Sequence, residues 1–345
     1  MNPKPTVYVV LLNWNGWRDT IACLESLYAS RNVNLRAVVC DNASSDDSMA
    51  HISSWAEGLN KVVAPEHPRL SRLLGNITLP LNYKCLDRET AERGDRCDHA
   101  SLVLVENGDN LGFAAGNNSG IRFALGQPDM DYVWVLNNDT IVEPDCLSNM
   151  VSRLEESSEK LVCGSMIHFF DQPEIIQAVG GNRFNRNTGS ASMSEGRFTH
   201  EEEILDIKAI ESELDYISGC SMLVPRDFLE TVGLMSEDYF LYYEEIDWFT
   251  RAKDSYGICI APDATLYHRE GAAIGSKSLQ TPASTLSDFH MFLSRLIFMR
   301  KYYRRSMVLC YLDSWVAVGK RLLRGRYSNA WVIGSVLLGK KTLAS

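Results

Sequence analysis

No stretch of this 345-residue chain approaches the run of about 18 apolar residues that a membrane-spanning helix needs, and WVIGSVLLG at 331–339 is too short. No CxxC pair occurs, although there are nine cysteines, so zinc sites and a disulfide framework are not expected. The count is odd and most cysteines, among them Cys40, Cys163 and Cys259, sit in apolar runs, which predicts reduced, buried thiols of a cytoplasmic protein. Cys85 and Cys97, in a polar segment, stay open. A leader is not expected, because MNPKPTVYVVLLNWNG passes from two prolines directly into a strand-like pattern. No G-x-G-x-x-G follows that first strand, which argues against a dehydrogenase. A sugar nucleotidyltransferase would want a glycine-rich, basic phosphate loop there, and NWNGWRDT offers only Arg18. There is no internal repeat.

What is present is ordinary globular composition, 45% hydrophobic and 23% charged with a mean hydropathy of −0.15. The length allows one large α/β domain with appendages, or two domains. Positive charge is unevenly spread. The formal net charge is −10, yet residues 286–345 hold eleven Lys and Arg against Asp288 and Asp313, a local +9 that leaves −19 on the rest. The acidic body argues against a nucleic-acid partner, and the basic, aromatic tail is drawn to anionic surfaces.

Strand-like apolar runs stand at 7–12, 35–40, 102–105 and 132–136, and each ends in a polar cluster: NWNG, DNASSDDS, ENGDN and NNDT. Apolar residues at helical spacing fill 17–30 and the segment AAGNNSGIRFALG. Runs without polar alternation, separated by helices, predict parallel strands covered on both faces, with ligands bound beyond their carboxyl ends. Further strands are expected at 161–170, 215–224 and 258–268, and helices from Pro144 to 157 and over 244–257. Residues 64–100 break the rhythm with three prolines and read as a functional flap or mobile insertion; 171–214 read as long loops.

Taken singly, each polar cluster has a plain structural reading. Ser44 or Ser45 could cap a helix with an acidic first turn, NWNG could be a turn, and Glu244, Glu245 and Asp247 could be dipole-stabilised acids of a first helical turn. Taken together, VVLLNWNG, VVCDNASSDDS, DNLGFAAGNNSGI, VWVLNNDT, SGCSMLVPRDFLETVGLMSEDYFLYYEEIDWFTR and APDATLYHREGAAIGS follow in order over roughly residues 6–270. In these motifs the chain resembles family 2 glycosyltransferases of the GT-A type, and within them the rhamnosyltransferase-like members.

The resemblance implies a Rossmann-like, mostly parallel α/β sheet with flanking helices over 1–285, plus a helical C-terminal extension over 286–345. It implies inverting transfer of a sugar, rhamnose from dTDP-rhamnose by likeness, to a cell-surface glycan or lipid-linked acceptor. Asn-Asn-Asp stands where the family has Asp-x-Asp. Asp139 is then the ligand of Mg²⁺ or Mn²⁺, His268 a second metal or diphosphate ligand, and Asn138 a contact to ribose or diphosphate, with Asn137 adding uncharged hydrogen bonds. A single carboxylate here is a sparse ligand set for a hard cation. Glu245 takes the place of the catalytic aspartate as base, with Glu244 and Asp247 orienting it or binding acceptor hydroxyls. Asn13, Trp14, Asp41, Asn42, Asn110, Gly112 and Asn117 surround the nucleotide, and Gly219 permits close backbone approach beside the sugar.

In the tail, Phe289, Phe292, Leu293, Leu296, Ile297 and Met299 mix with basic residues. They read either as an amphipathic helix lying on an anionic membrane, at its cytoplasmic face, or as a helical extension packed on the body or on a second subunit. A catalytically silent, membrane-associated nucleotide-sugar-binding subunit is the alternative to an enzyme.

Overall fold

The structure is a computed structural model that describes residues 4–342 apart from 76, 98, 99 and 270–282. The later part of the motif at 261–276 therefore lies outside the described residues.

The apolar runs become strands β1 (Thr6–Asn13), β2 (Asn34–Asp41), β3 (Tyr83–Asp87), β4 (Leu102–Glu106), β5 (Tyr132–Asn137), β6 (Thr140–Val142) and β7 (Leu161–Phe169). They are followed by β8 (Ile176–Val179), β9 (Gly181–Phe184), β10 (Ala191–Met193), β11 (Tyr216–Ile217), β12 (Ser221–Pro225) and β13 (Gly257–His268). The central sheet runs β3-β4-β2-β1-β5-β12-β7-β13-β6, with β8 paired to β7. The first five strands in that order are mutually parallel; β12 is antiparallel to β5 and β7, β13 parallel to β7, and β6 antiparallel to β13. This is the mixed, mostly parallel α/β sheet that the resemblance implies.

Both faces are covered, as the missing polar alternation requires. Val7, Val9, Leu11, Ala37 and Val39 pack on one side with Ile21 and Leu24 of the Trp17–Leu27 helix and with Trp55. Tyr8, Val10, Val38 and Cys40 pack on the other with Ile121 and Phe123 of the Gly112–Gly126 helix. One topological fact positions the site. Reversal of β12 brings its amino end beside the carboxyl ends of β1, β2, β5, β7 and β13, so all the polar clusters meet at one rim.

Three expectations are corrected. Residues 64–100 contribute a structured edge: β3 pairs in parallel with β4, between the short helices Pro68–Ser71 and Arg88–Glu92. Its strand, YKCLD, is too polar to read as one because an edge strand is covered on few sides. The 171–214 segment is likewise more than loops, holding β8, β9 and β10 and the Ile207–Glu213 helix, with β9 and β10 completed into a small sheet by β11.

The third concerns the tail. Phe289, Phe292, Leu296 and Met299 of the Thr285–Tyr302 helix are buried against the body, in one cluster with Tyr243 and Phe184, and Leu293 and Ile297 pack beside them. Arg295 Nε donates to the Thr188 carbonyl at 2.9 Å and Ser294 Oγ to that of Leu241 at 2.8 Å. This helix is the packed extension, so its apolar residues do not face a membrane. The nine cysteines form no disulfide, and seven are buried.

Candidate active site

The loop after β1 is knitted by side chains. Asn13 Nδ2 donates to Asp41 Oδ1 at 2.6 Å and to Ser44 Oγ at 3.1 Å, while Thr20 Oγ1 donates to Asn13 Oδ1 at 2.7 Å. Asp41 also takes the Ser44 N–H at 2.9 Å, and Asn138 Nδ2 reaches Thr20 Oγ1 at 2.8 Å. Asn13 is fully buried with every hydrogen-bonding atom engaged, so it braces the loop from within and does not face a ligand. Asn42 is placed the same way: its Oδ1 accepts from Asn107 at 2.8 Å and its Nδ2 donates to the Gly112 carbonyl at 3.0 Å. Asn117 is also buried and donates to the Phe113 carbonyl at 3.0 Å. Of the residues expected to surround a nucleotide, Asn13 and Asn42 thus have their amides engaged inside the protein, and Asn117 is buried with its Oδ1 unpartnered. Asp41 is buried as well, with both carboxylate oxygens taken by Asn13 and Ser44, whereas Trp14 and Asn110 keep exposed surface.

Gly112 has φ of 78°, and a Cβ there would lie 2.1 Å from the Phe240 carbonyl oxygen. Only glycine permits that approach, which ties the Gly112–Gly126 helix to the segment leading into the acidic helix. No serine caps the helix after β2; it is Ser48–Ala56 and opens at Asp47, without a side-chain cap.

At the end of β5, Asp139 and His268 face each other, Oδ1 to Nε2 at 3.2 Å. The approach is too poorly aligned for a hydrogen bond, and Asp139 Oδ1 is a buried carboxylate oxygen with no hydrogen-bond partner. Asn137 Nδ2 lies 3.3 Å from the same His268 nitrogen. On the other side, His268 Nδ1 meets Gln177 Oε1 at 3.0 Å, an acceptor that holds a proton on Nδ1 and leaves Nε2 to ligate. Burial opposes charge on His268, but Cys220 and Asp139 beside it raise its pKa well above the ordinary imidazole value. Among the described residues no group of three His, Cys, Asp or Glu is arranged to hold a metal ion. The pair fits a divalent cation that takes its remaining oxygens from phosphate and water, and binding it would release the histidine's proton.

Glu244 and Glu245 open the Glu244–Ala252 helix. Tyr242 and Tyr243 just before it have φ of 66° and 74°, a left-handed pair that costs about 1–3 kcal/mol per residue. Hydrogen bonds from the Tyr243 hydroxyl to the Gly189 carbonyl, and between the Tyr242 and Ser287 hydroxyls at 2.8 Å, hold it. The strain turns Glu245 onto the backbone of Gly219, whose N–H it accepts. Burial pushes the Glu245 carboxyl up to about 7, against those backbone hydrogen bonds. Burial and the charge of Glu245 push Glu244, fully enclosed with Oε2 unpartnered, well above the carboxylate range. The pair therefore gives up its first proton near neutral pH, and from Glu245 before Glu244.

Asp247 is not part of this corner. It is wholly buried, with its oxygens taken by Arg251 Nε at 2.8 Å, the Tyr239 hydroxyl at 2.9 Å and Lys301 Nζ at 3.0 Å. Two residues along a helix turn a side chain to the far face, and there it clamps the Thr285–Tyr302 helix.

Gly219-Cys220 joins the two corners. Gly219 touches Glu245, and the Cys220 carbonyl accepts the Asn137 N–H at 2.9 Å beside His268. Asp139 also borders a cavity of about 810 Å³ walled by Arg18, Asp19, His67, Phe170 and Arg269; Glu245 and Asp41 are not in its lining. Residues 63–68 form part of that wall, giving the insertion a place beside the site. Thr20 and Gln177 were missed from sequence, since each sits inside an element and signals nothing without its partner, and Asn107 was passed over within the ENGDN cluster.

Residues 96–233 match the family described as Glycosyl transferase family 2. Over 171 residues the chain is 23% identical to the low-salt glycan biosynthesis hexosyltransferase Agl10 of Haloferax volcanii, covering 49% of this chain and 52% of that protein. It thus spans about half the length of the curated relative it matches. Mannosyltransferase PcManGT of Pyrobaculum calidifontis, solved with GDP-Man and Mn²⁺, has a TM-score of 0.52 at 15% identity, covering 99% of this chain and 77% of that one. GalNAc-T7 with UDP, GalNAc and Mn²⁺ has a TM-score of 0.57 at 10% identity, covering 92% and 51%. Residues 96–233 thus resemble family 2 glycosyltransferases, and the fold is GT-A-like.

Proposed function

We infer that this protein transfers a hexosyl group from a nucleotide diphosphate sugar to a hydroxyl of a glycan or lipid-linked acceptor, with inversion at the anomeric carbon. The observation that carries the reading is the contact of Glu245 with Gly219, one residue from the Cys220 that adjoins Asn137 and His268. A base and a diphosphate-binding corner thus flank one short backbone segment, as displacement on a sugar requires.

Glu245 takes the proton of the acceptor hydroxyl as its oxygen attacks the anomeric carbon; the bond to the diphosphate breaks and the electron pair leaves with it. Glu244, kept protonated by burial and by its neighbour, leaves Glu245 the charged member. Asp139 and His268 would hold Mg²⁺ or Mn²⁺. Such an ion, when bound, would neutralise charge on the departing diphosphate. Trp14 and Asn110 receive the nucleotide on the loop that Asp41 braces, and Asn138 faces its ribose or diphosphate.

The motif likeness favours dTDP-rhamnose as donor, whereas the two solved neighbours hold GDP-Man and UDP. The test is turnover of a panel of dTDP-, UDP- and GDP-sugars with Mn²⁺, with the anomeric configuration of the product read by NMR. Turnover of one donor with inversion is expected. Donor binding without turnover under any condition would leave a silent binding subunit in its place.

A further inference from the structure

The last two helices carry large apolar residues on their outer faces as well as on their inner ones. In Met307–Leu323 the inward stripe is Cys310, Ser314 and Val318, while Val308, Leu312, Trp315 and Leu323 face outward, Leu323 at 91% exposure. In Tyr327–Leu337 the outward stripe is Tyr327 and Trp331, 68% and 63% exposed. The two stripes adjoin, since Trp315 lies 4.0 Å from where a Cβ of Gly334 would be. Large apolar side chains grouped at helical spacing on an outer face mark an interaction site.

Charge decides the occupant. Exposed Arg304, Arg305, Lys320, Arg324 and Lys341 stand at the ends of the two helices, within a segment of net +9 on a body of −19. A second copy would bring like charge against like, whereas an anionic bilayer pairs with these cations and admits the apolar side chains between them. Tryptophan and tyrosine suit the headgroup boundary, with an apolar ring and a polar edge. None of the described helices is long and apolar enough to cross a membrane, so the face lies on the surface.

We propose that the outer face of residues 304–341 docks the protein on an anionic phospholipid bilayer. The Thr285–Tyr302 helix transmits that placement to the site, because Lys301 pairs with Asp247 at 3.0 Å inside the helix that carries Glu245. Docking needs no turnover, so this inference stands or falls apart from the sugar-transfer reading.

The test is flotation of the full chain with vesicles of phosphatidylcholine alone or with 30% phosphatidylglycerol, beside Leu312→Ser/Trp315→Ser/Trp331→Ser and Lys320→Gln/Arg324→Gln variants. Binding to the anionic vesicles only is expected, with a blue-shifted tryptophan emission. Both variants should lose at least tenfold in binding, and the charge variant should abolish its salt dependence. Circular dichroism and sedimentation velocity establish that the variants fold. Failure of wild type to float, or equal flotation of the apolar variant, overturns the proposal. So does a wild-type dimer that the apolar substitutions dissociate, which would make the face a contact between copies.

Discussion

Gly219 lies directly under the carboxylate of Glu245: a Cβ added to residue 219 would be 1.9 Å from Glu245 Oε1. The obstacle is the end of a flexible side chain, so a larger residue displaces Glu245 more than it disturbs the fold. Gly219→Ala is therefore expected to lower turnover about 100-fold, the order of loss for a reacting group misplaced by an ångström. Melting temperature and donor affinity should change little. Unaltered turnover in a correctly folded variant would detach the contact from catalysis.

Glu245→Gln keeps the shape and removes the base. Turnover should drop by roughly 10²–10⁴, the usual worth of general base catalysis, with donor affinity retained. Steady-state rates and isothermal titration with the donor separate the two quantities.

The pH profile follows from the same residue. Glu245 must be ionised to accept a proton, and burial raises its carboxyl to about 7, so kcat/KM should climb with pH and level off above neutrality. The apparent midpoint belongs to the Glu244–Glu245 pair. A profile flat between pH 6 and 8 with chemistry rate-limiting would remove Glu245 as base.

Gln177 touches His268 from behind, at 3.0 Å on Nδ1. Gln177→Ala frees the ring to turn and is expected to weaken Mn²⁺ binding about 10- to 100-fold, as loss of a ligand's outer partner does. Titration of Mn²⁺ by electron paramagnetic resonance reads this without turnover. Equal affinity would place the metal, if any, away from His268.

Asp247→Asn should behave as a stability variant. It leaves Arg251 and Lys301 without their buried carboxylate, yet both cations retain some solvent, so a cost of about 2 kcal/mol is expected, below that of a fully enclosed pair. Chemical denaturation measures it, and turnover per folded molecule should stay near wild type.

The apolar runs of β1, β2, β4, β5, β7 and β13 were legible because a strand covered on both faces needs no polar alternation, and few other structures tolerate such runs. β3 escaped notice since YKCLD lies at an edge, half in water. The 215–224 run appeared continuous but breaks at Ser218-Gly219-Cys220, where the chain bends to meet Glu245. Among candidate residues, types were readable and directions were not. Asn13 and Asn42 look like ligand contacts in a list of polar strand ends, yet their amides are spent bracing neighbouring loops.

Local pattern by itself determined the parallel sheet, the polar rim beyond its strands and the basic tail, since hydrophobic periodicity and charge are carried by neighbours in the chain. Which carboxylates share a corner was decided only in three dimensions. Glu245 and Asp247 are two residues apart, but just over half a helical turn and the reversal of β12 send the first to Gly219 and the second to Lys301. The tail's outward face was decided the same way: burial of the Phe289–Met299 stripe against the body left the apolar side chains of the following helices as the exposed ones.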